Sequence, residues 1–197
     1  MVLKPCETSR AAAWIANSEE PWQDLVGFGT PGFEAYARLR FMPDPDGQDN
    51  PGDPDEPTDQ AKAGSLCELL HSATGTPDDC YFAIWEGWPD TSAVMRQSAR
   101  LRIPNRTYYL LHGPLSDFGR WGVRETGHNP AAFVWPADHA WCIASDVDDH
   151  WAGIGANTKT IAGLLAESDL DIVTADPDCG APAQYAAPRR YFKDRRL

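Results

Sequence analysis

The side chains best suited to chemistry in this sequence lie in one run, Asp146, Asp148, Asp149 and His150, with Asp138 and His139 shortly upstream. A D-x-D-D-H cluster at the end of a strand brings carboxylates within a few ångströms of one another. That density can bind a divalent ion or raise one carboxyl pKa by like-charge repulsion. In extended backbone Asp146 and Asp148 share one face, and Asp149 and Trp151 the other. No H-E-x-x-H motif accompanies them, and the competing expectation is a solvated acidic loop. Just downstream, Gly153-Ile154-Gly155-Ala156-Asn157-Thr158-Lys159-Thr160 nearly spells G-x-x-x-x-G-K-T, with Gly153, Gly155, Lys159 and Thr160 as phosphate-binding candidates. Thr158 stands where that motif needs a glycine, and the preceding aspartates repel phosphate. The plainer expectation is a tight turn at Gly153 and Gly155, with Asn157 or Thr158 capping a helix that carries Ile161, Leu164 and Leu165. A third candidate is an aromatic face: Trp85, Trp88, Trp135, Trp141 and Trp151 fall in or beside neighbouring strands, where they either stack on a partner or fill the core. Ser145 lacks the G-x-S-x-G setting of a serine hydrolase. No residue is assigned as catalytic and no cofactor is expected, a divalent metal at Asp146–His150 being the exception.

These residues need a scaffold. Phe133-Val134-Trp135 and Trp141-Cys142-Ile143-Ala144-Ser145 flank a Pro136-Ala137-Asp138 turn and read as a hairpin. Upstream, residues 33–41 (FEAYARLRF) alternate, with Phe33, Ala35, Ala37, Leu39 and Phe41 on one face and Glu34, Tyr36, Arg38 and Arg40 on the other. Such a strand is expected to be half exposed and antiparallel. Residues 80–88 (CYFAIWEGW), 107–111 (TYYLL) and 170–175 (LDIVTA) read as further strands, and 9–17 (with Ser9 as N-cap), 61–73 and the segment after Asn157 as helices. Trp22, Leu25, Val26 and Phe28 lead into residues 27–32, which read as a turn-rich entry to the first long strand, and 91–106 read as a polar, basic connection. Only the last helix joins its strands in a βαβ-like manner. The expectation is a single α+β domain over 1–176, with a mainly antiparallel or mixed sheet of five to six strands and about three helices.

Composition sets outer limits. The 197 residues suffice for one core, and no apolar run approaches the ~20 residues of a membrane span. Lacking an apolar leader segment, the N-terminal stretch reads as that of a cytoplasmic protein. Five scattered cysteines without a C-x-x-C pair suit reduced structural thiols. Residues 43–59 carry seven acidic residues and no basic one, with frequent Pro and Gly, and are expected to form a mobile loop. A net charge of -12 argues against nucleic acid. The exception is the stretch after a 177–188 linker, where Arg189, Arg190, Lys193, Arg195 and Arg196 form a basic segment. In a chain this acidic, that segment is as well suited to an acidic surface of its own chain or of a partner.

The segments WPADHAWCIASDVDDHWAGIG, YFAIWEGW and YYLLHGPL resemble those of a family of uncharacterised proteins from high-GC Gram-positive bacteria, over roughly residues 14–176. That resemblance implies no particular activity, and it implies that the Lys159-Thr160 pair is incidental. At the level of fold, the Trp-rich strands and acidic charge are similar to SUKH-type immunity proteins, which bind toxins without catalysis. The leading expectation is therefore a non-catalytic domain that binds another protein. Its alternative is a metal-assisted hydrolase or small-ligand-binding enzyme centred on Asp146–His150.

Overall fold

Alternation carries through to the architecture. In the computed structural model, which describes residues 3–44, 56–89, 92–93, 95–121 and 129–180, the described strands form one nine-stranded antiparallel sheet. They are β1 (Lys4–Pro5), β2 (Ala35–Arg40), β3 (Cys80–Trp85), β4 (Arg100–Ile103), β5 (Arg106–Gly113), β6 (Phe133–Pro136), β7 (Trp141–Ala144), β8 (Trp151–Ala156) and β9 (Ile172–Ala175). The order across the sheet is β1-β5-β3-β6-β7-β8-β2-β9. β4 pairs β5 through Arg100↔Tyr109 to Ile103↔Arg106, while β1 pairs it through Lys4↔His112 and Pro5↔Leu111. The two lie end to end along one edge, joined where Ala99 N–H donates to the Cys6 carbonyl at 2.7 Å.

Four α-helices cover the sheet on both faces: α1 (Ala13–Ala16), α2 (Trp22–Phe28), α3 (Asp59–Leu70) and α4 (Thr158–Leu165). Ile15 of α1 and Leu25 and Val26 of α2 pack on Leu110, Phe133, Trp135 and Cys142. On the opposite face Leu66 and Leu70 of α3 and Ile161 and Leu164 of α4 pack on Leu39, Phe82, Val134, Ile143 and Ile154. Period-2 alternation explains the division, since Trp135 and Val134 belong to one strand and to different cores. β8 and β9 both run antiparallel to β2, so α4 links two parallel strands with β2 inserted between them. Cys67, Cys80 and Cys142 are buried free thiols, and burial pushes Cys80 up to about 12. No helix among the described residues is long and apolar enough to cross a membrane.

Several expectations change. The sheet holds nine strands rather than five or six. Residues 100–103 are a strand because a two-residue Pro104-Asn105 turn, with Asn105 at φ 63°, folds them onto β5. Residues 22–28, read as no element ahead of the 27–32 turn, form a helix that takes in Gly27 and Phe28. The polar face of β2 is covered too: Arg38 is only 8% exposed, its guanidinium 5.3 Å from the Trp151 ring and hydrogen-bonded twice to Asp44 at 2.9 Å. Ser9 precedes a 3-10 turn and makes no side-chain capping bond. Residues 45–55, most of the expected acidic loop, and the basic residues Arg189, Arg190, Lys193, Arg195 and Arg196 lie outside the described residues.

Candidate interaction groove

At the end of the sheet where β2 begins and β9 stops, a groove of about 780 Å³ opens between α2 and α4. Tyr36 shapes it from below. Its hydroxyl donates to the Thr30 carbonyl at 3.0 Å and accepts from the Phe33 N–H at 3.3 Å, pinning the loop that leads from α2 into β2. Phe28, Ile161, Ala162 and Leu165 supply apolar surface, and Leu165 is one of two large hydrophobic side chains notably exposed among the described residues. Around it stand five carboxylates, Glu20, Asp24, Glu34, Asp176 and Asp178, and among the described residues no Lys, Arg or His lines the space. A shallower hollow bounded by Trp14, Phe33, His139 and Glu19 shares Glu20, Pro31 and Gly32 with it.

Two of the five acids have structural work. Glu34 accepts from Thr158 N–H at 3.0 Å and Thr158 Oγ1 at 3.1 Å, and those bonds hold its carboxyl below the ordinary value. Asp176 caps the short 3-10 turn Pro177–Cys179 by accepting from Asp178 N–H at 3.1 Å. No described cation forms an ion pair with Glu20, Asp24 or Asp178. Among the described residues no three His, Cys, Asp or Glu side chains gather closely enough to hold a metal ion. The negative charge is therefore spread along the groove rather than focused at one point.

The residues singled out in the sequence fall elsewhere. Asp146 faces Arg106, whose Nε and Nη2 donate to its two oxygens at 2.9 and 2.7 Å, with Asp148 3.3 Å from Nη2. The guanidinium lies 5.1 Å from the Trp22 ring and 6.0 Å from that of Trp85. Asp149 N–H turns back to the Asp146 carbonyl, while the His150 carbonyl accepts from Phe41 N–H at 2.8 Å. His139 sits at the other end of β7, stacked on Trp14 at 4.4 Å. Asp138 ties that hairpin turn to Thr74 Oγ1 and Gly75 N–H at 2.8 and 2.7 Å. The D-x-D-D-H run is thus pulled in different directions, and Asp146, its side chain only 9% exposed, already has a cation.

The glycines of the near-miss phosphate motif lie within a strand, not a turn. A Cβ on Gly153 would stand 2.1 Å from the Gly27 carbonyl oxygen and 2.9 Å from Phe28 Cα, and one on Gly155 would stand 2.4 Å from the Phe33 ring. Both are bare so that α2 and the loop after it can rest directly on β8. At the start of α4, Asn157 Oδ1 accepts from Thr160 N–H at 2.8 Å and Glu34 takes Thr158 N–H, so a carboxylate already fills the place an anion would seek. Lys159 is exposed.

No protein-family model, curated protein or solved structure matches the chain.

Of the five tryptophans read as a recognition face, Trp135 (0%), Trp141 (0%) and Trp151 (3%) are core. Trp85 and Trp88 are half-buried and pack edge to face at 5.2 Å beside Arg106. The groove residues escaped notice because they come from separate segments. One signal was present: in α4 Ile161 and Leu164 face the sheet, so Ala162 and Leu165 extend apolar surface beyond the stripe a packed helix needs.

Proposed function

We propose that this chain is a non-catalytic interaction domain whose groove between α2 and α4 receives a segment of another protein that is both basic and apolar. One observation carries the reading: five carboxylates surround an apolar floor, and among the described residues no cation lines the space. Spread negative charge suits a row of Lys or Arg side chains better than a point cation, and exposed Ala162 and Leu165 offer contact to the apolar part of such a segment. Charge of this kind steers encounter and fixes register more than it adds affinity, so binding should weaken as salt rises. Binding a partner protein without catalysis is also what the resemblance to immunity proteins implies. A cytoplasmic setting belongs to the same reading.

Titration of the ¹⁵N-labelled chain with nonapeptides tests it. Peptides carrying Arg or Lys around one or two aromatic or aliphatic residues should shift the amides of Gly29, Gly32, Ala35 and Thr174, while acidic peptides of equal hydropathy should not. Equal response to both sets, or shifts confined to the Trp85–Trp88 corner, would sink the assignment.

A further inference from the structure

We infer that residues 189–197 of the same chain, Arg-Arg-Tyr-Phe-Lys-Asp-Arg-Arg-Leu, are the resting occupant of this groove, so that a partner must displace them. The inference rests on the reading of the groove as a binding site and adds its regulation. Position supports it first: Asp176 and Asp178 line the groove, and the described chain ends at Gly180. Eight residues, 181–188, separate Gly180 from Arg189. Extended, they span up to roughly 26–29 Å, and α4 is only about 12 Å long. A return path along the groove is within reach, and so is a path away from it.

Chemistry makes the choice. Residues 189–197 carry five basic side chains, one acidic, and Tyr191, Phe192 and Leu197. The whole chain, this segment included, has a net charge of -12, and the groove pairs an acidic border with exposed, apolar Ala162 and Leu165. Glu20, Asp24 and Asp178 meet no ion-pair partner among the described residues. A basic segment with an aromatic centre matches both features at once. A tether this short keeps the segment at an effective concentration of about 1 mM. Against an intrinsic dissociation constant of about 100 µM, self-occupancy would lower the apparent affinity for a competitor about tenfold.

The test uses a fluorescein-labelled synthetic peptide of sequence RRYFKDRRL and anisotropy at low salt, with three full-length proteins. One is native. The second carries Arg189→Gln, Arg190→Gln, Lys193→Gln, Arg195→Gln and Arg196→Gln. The third adds Glu20→Lys and Asp178→Lys, two exposed positions at which no side-chain ion pair is lost. The peptide should bind the second protein about tenfold more tightly than the native one, and the third should lose that gain. Equal affinity for native and second proteins would overturn self-occupancy while leaving the groove as a binding site. Absence of binding to the second protein, or binding unchanged in the third, would remove the groove reading and the inference together.

Discussion

The guanidinium of Arg106 donates to both carboxylate oxygens of Asp146, at 2.9 and 2.7 Å, and the two side chains are only 14% and 9% exposed. The pair joins the start of β5 to the loop between β7 and β8, with Trp22 of α2 on one side and Trp85 of β3 on the other. Four otherwise separate pieces of the chain meet around one fork of hydrogen bonds. Asp146 is thereby neutralised by its own chain, which removes the strongest carboxylate from any metal site.

Breaking this pair should be costly, because either partner left alone is a charge held away from water. Asp146→Ala is expected to lower unfolding free energy by about 3–5 kcal/mol in urea denaturation. Asp148→Ala, at a side chain 76% exposed, should stay within about 0.5 kcal/mol. The double change Arg106→Leu with Asp146→Leu should recover much of the loss, since it removes both charges and keeps apolar volume between the indoles. Mg²⁺, Mn²⁺ and Zn²⁺ should leave the melting temperature of the native protein unchanged. A rise that disappears in Asp146→Ala would restore the metal reading.

Two glycines should respond oppositely to the same added methyl group. At Gly153 a Cβ meets the backbone of α2, the Gly27 oxygen at 2.1 Å, and backbone cannot step aside as a flexible side chain would. Gly153→Ala should cost about 1–3 kcal/mol or more as α2 is pushed off β8. Gly163 lies in α4 with nothing within 4 Å of the site of its Cβ. Gly163→Ala should stabilise by about 0.5–1 kcal/mol through helix propensity alone. Urea midpoints of the two variants measure the contrast, and a tolerated Gly153→Ala would refute the close approach of helix and strand.

The same glycines show where a sequence stops being legible. β2, β3 and the β6–β7 hairpin were readable because alternation is a local property of each strand, and α3 because its leucines recur at helical spacing. Gly153 and Gly155 were not, because their reason lies in Gly27, Phe28 and Phe33, far away in the chain. α2 hid for a related cause: Gly27 and Gly29 interrupt its apolar stripe, yet Gly27 has to be small where the Trp151 ring comes within 3.0 Å of a Cβ. β4 was announced only by Pro104-Asn105, a weak signal within a polar stretch. The acids were visible but not their partners. Asp146 reads as a ligand until Arg106, forty residues earlier, is folded against it. Glu20 and Asp24 lie four residues apart at the start of α2, but Asp178 follows β9, and only the meeting of α2, β2 and β9 makes it their neighbour.

His139 offers a pH test of the hairpin turn. Its ring stacks on Trp14 with centroids 4.4 Å apart, and its backbone is held at φ 54°, a conformation uncommon outside glycine in which Asn, Asp and His are the enriched side chains. Loss of water from the stacked ring moves its pKa below the ordinary 6.5, opposed by the charge of Asp138. The unfolded chain then takes up this proton first. The contribution of neutral His139 to stability is full above pH 6.5 and is lost as pH falls through the folded-state value. Histidine resonances followed by NMR should give a midpoint for His139 below 6.5. The stability of native protein relative to His139→Asn, chosen because Asn accepts the same backbone, should decline between pH 7 and pH 5. A midpoint at or above 6.5 would mean that Asp138 outweighs the stacked indole, and the stability difference would then change in the opposite direction.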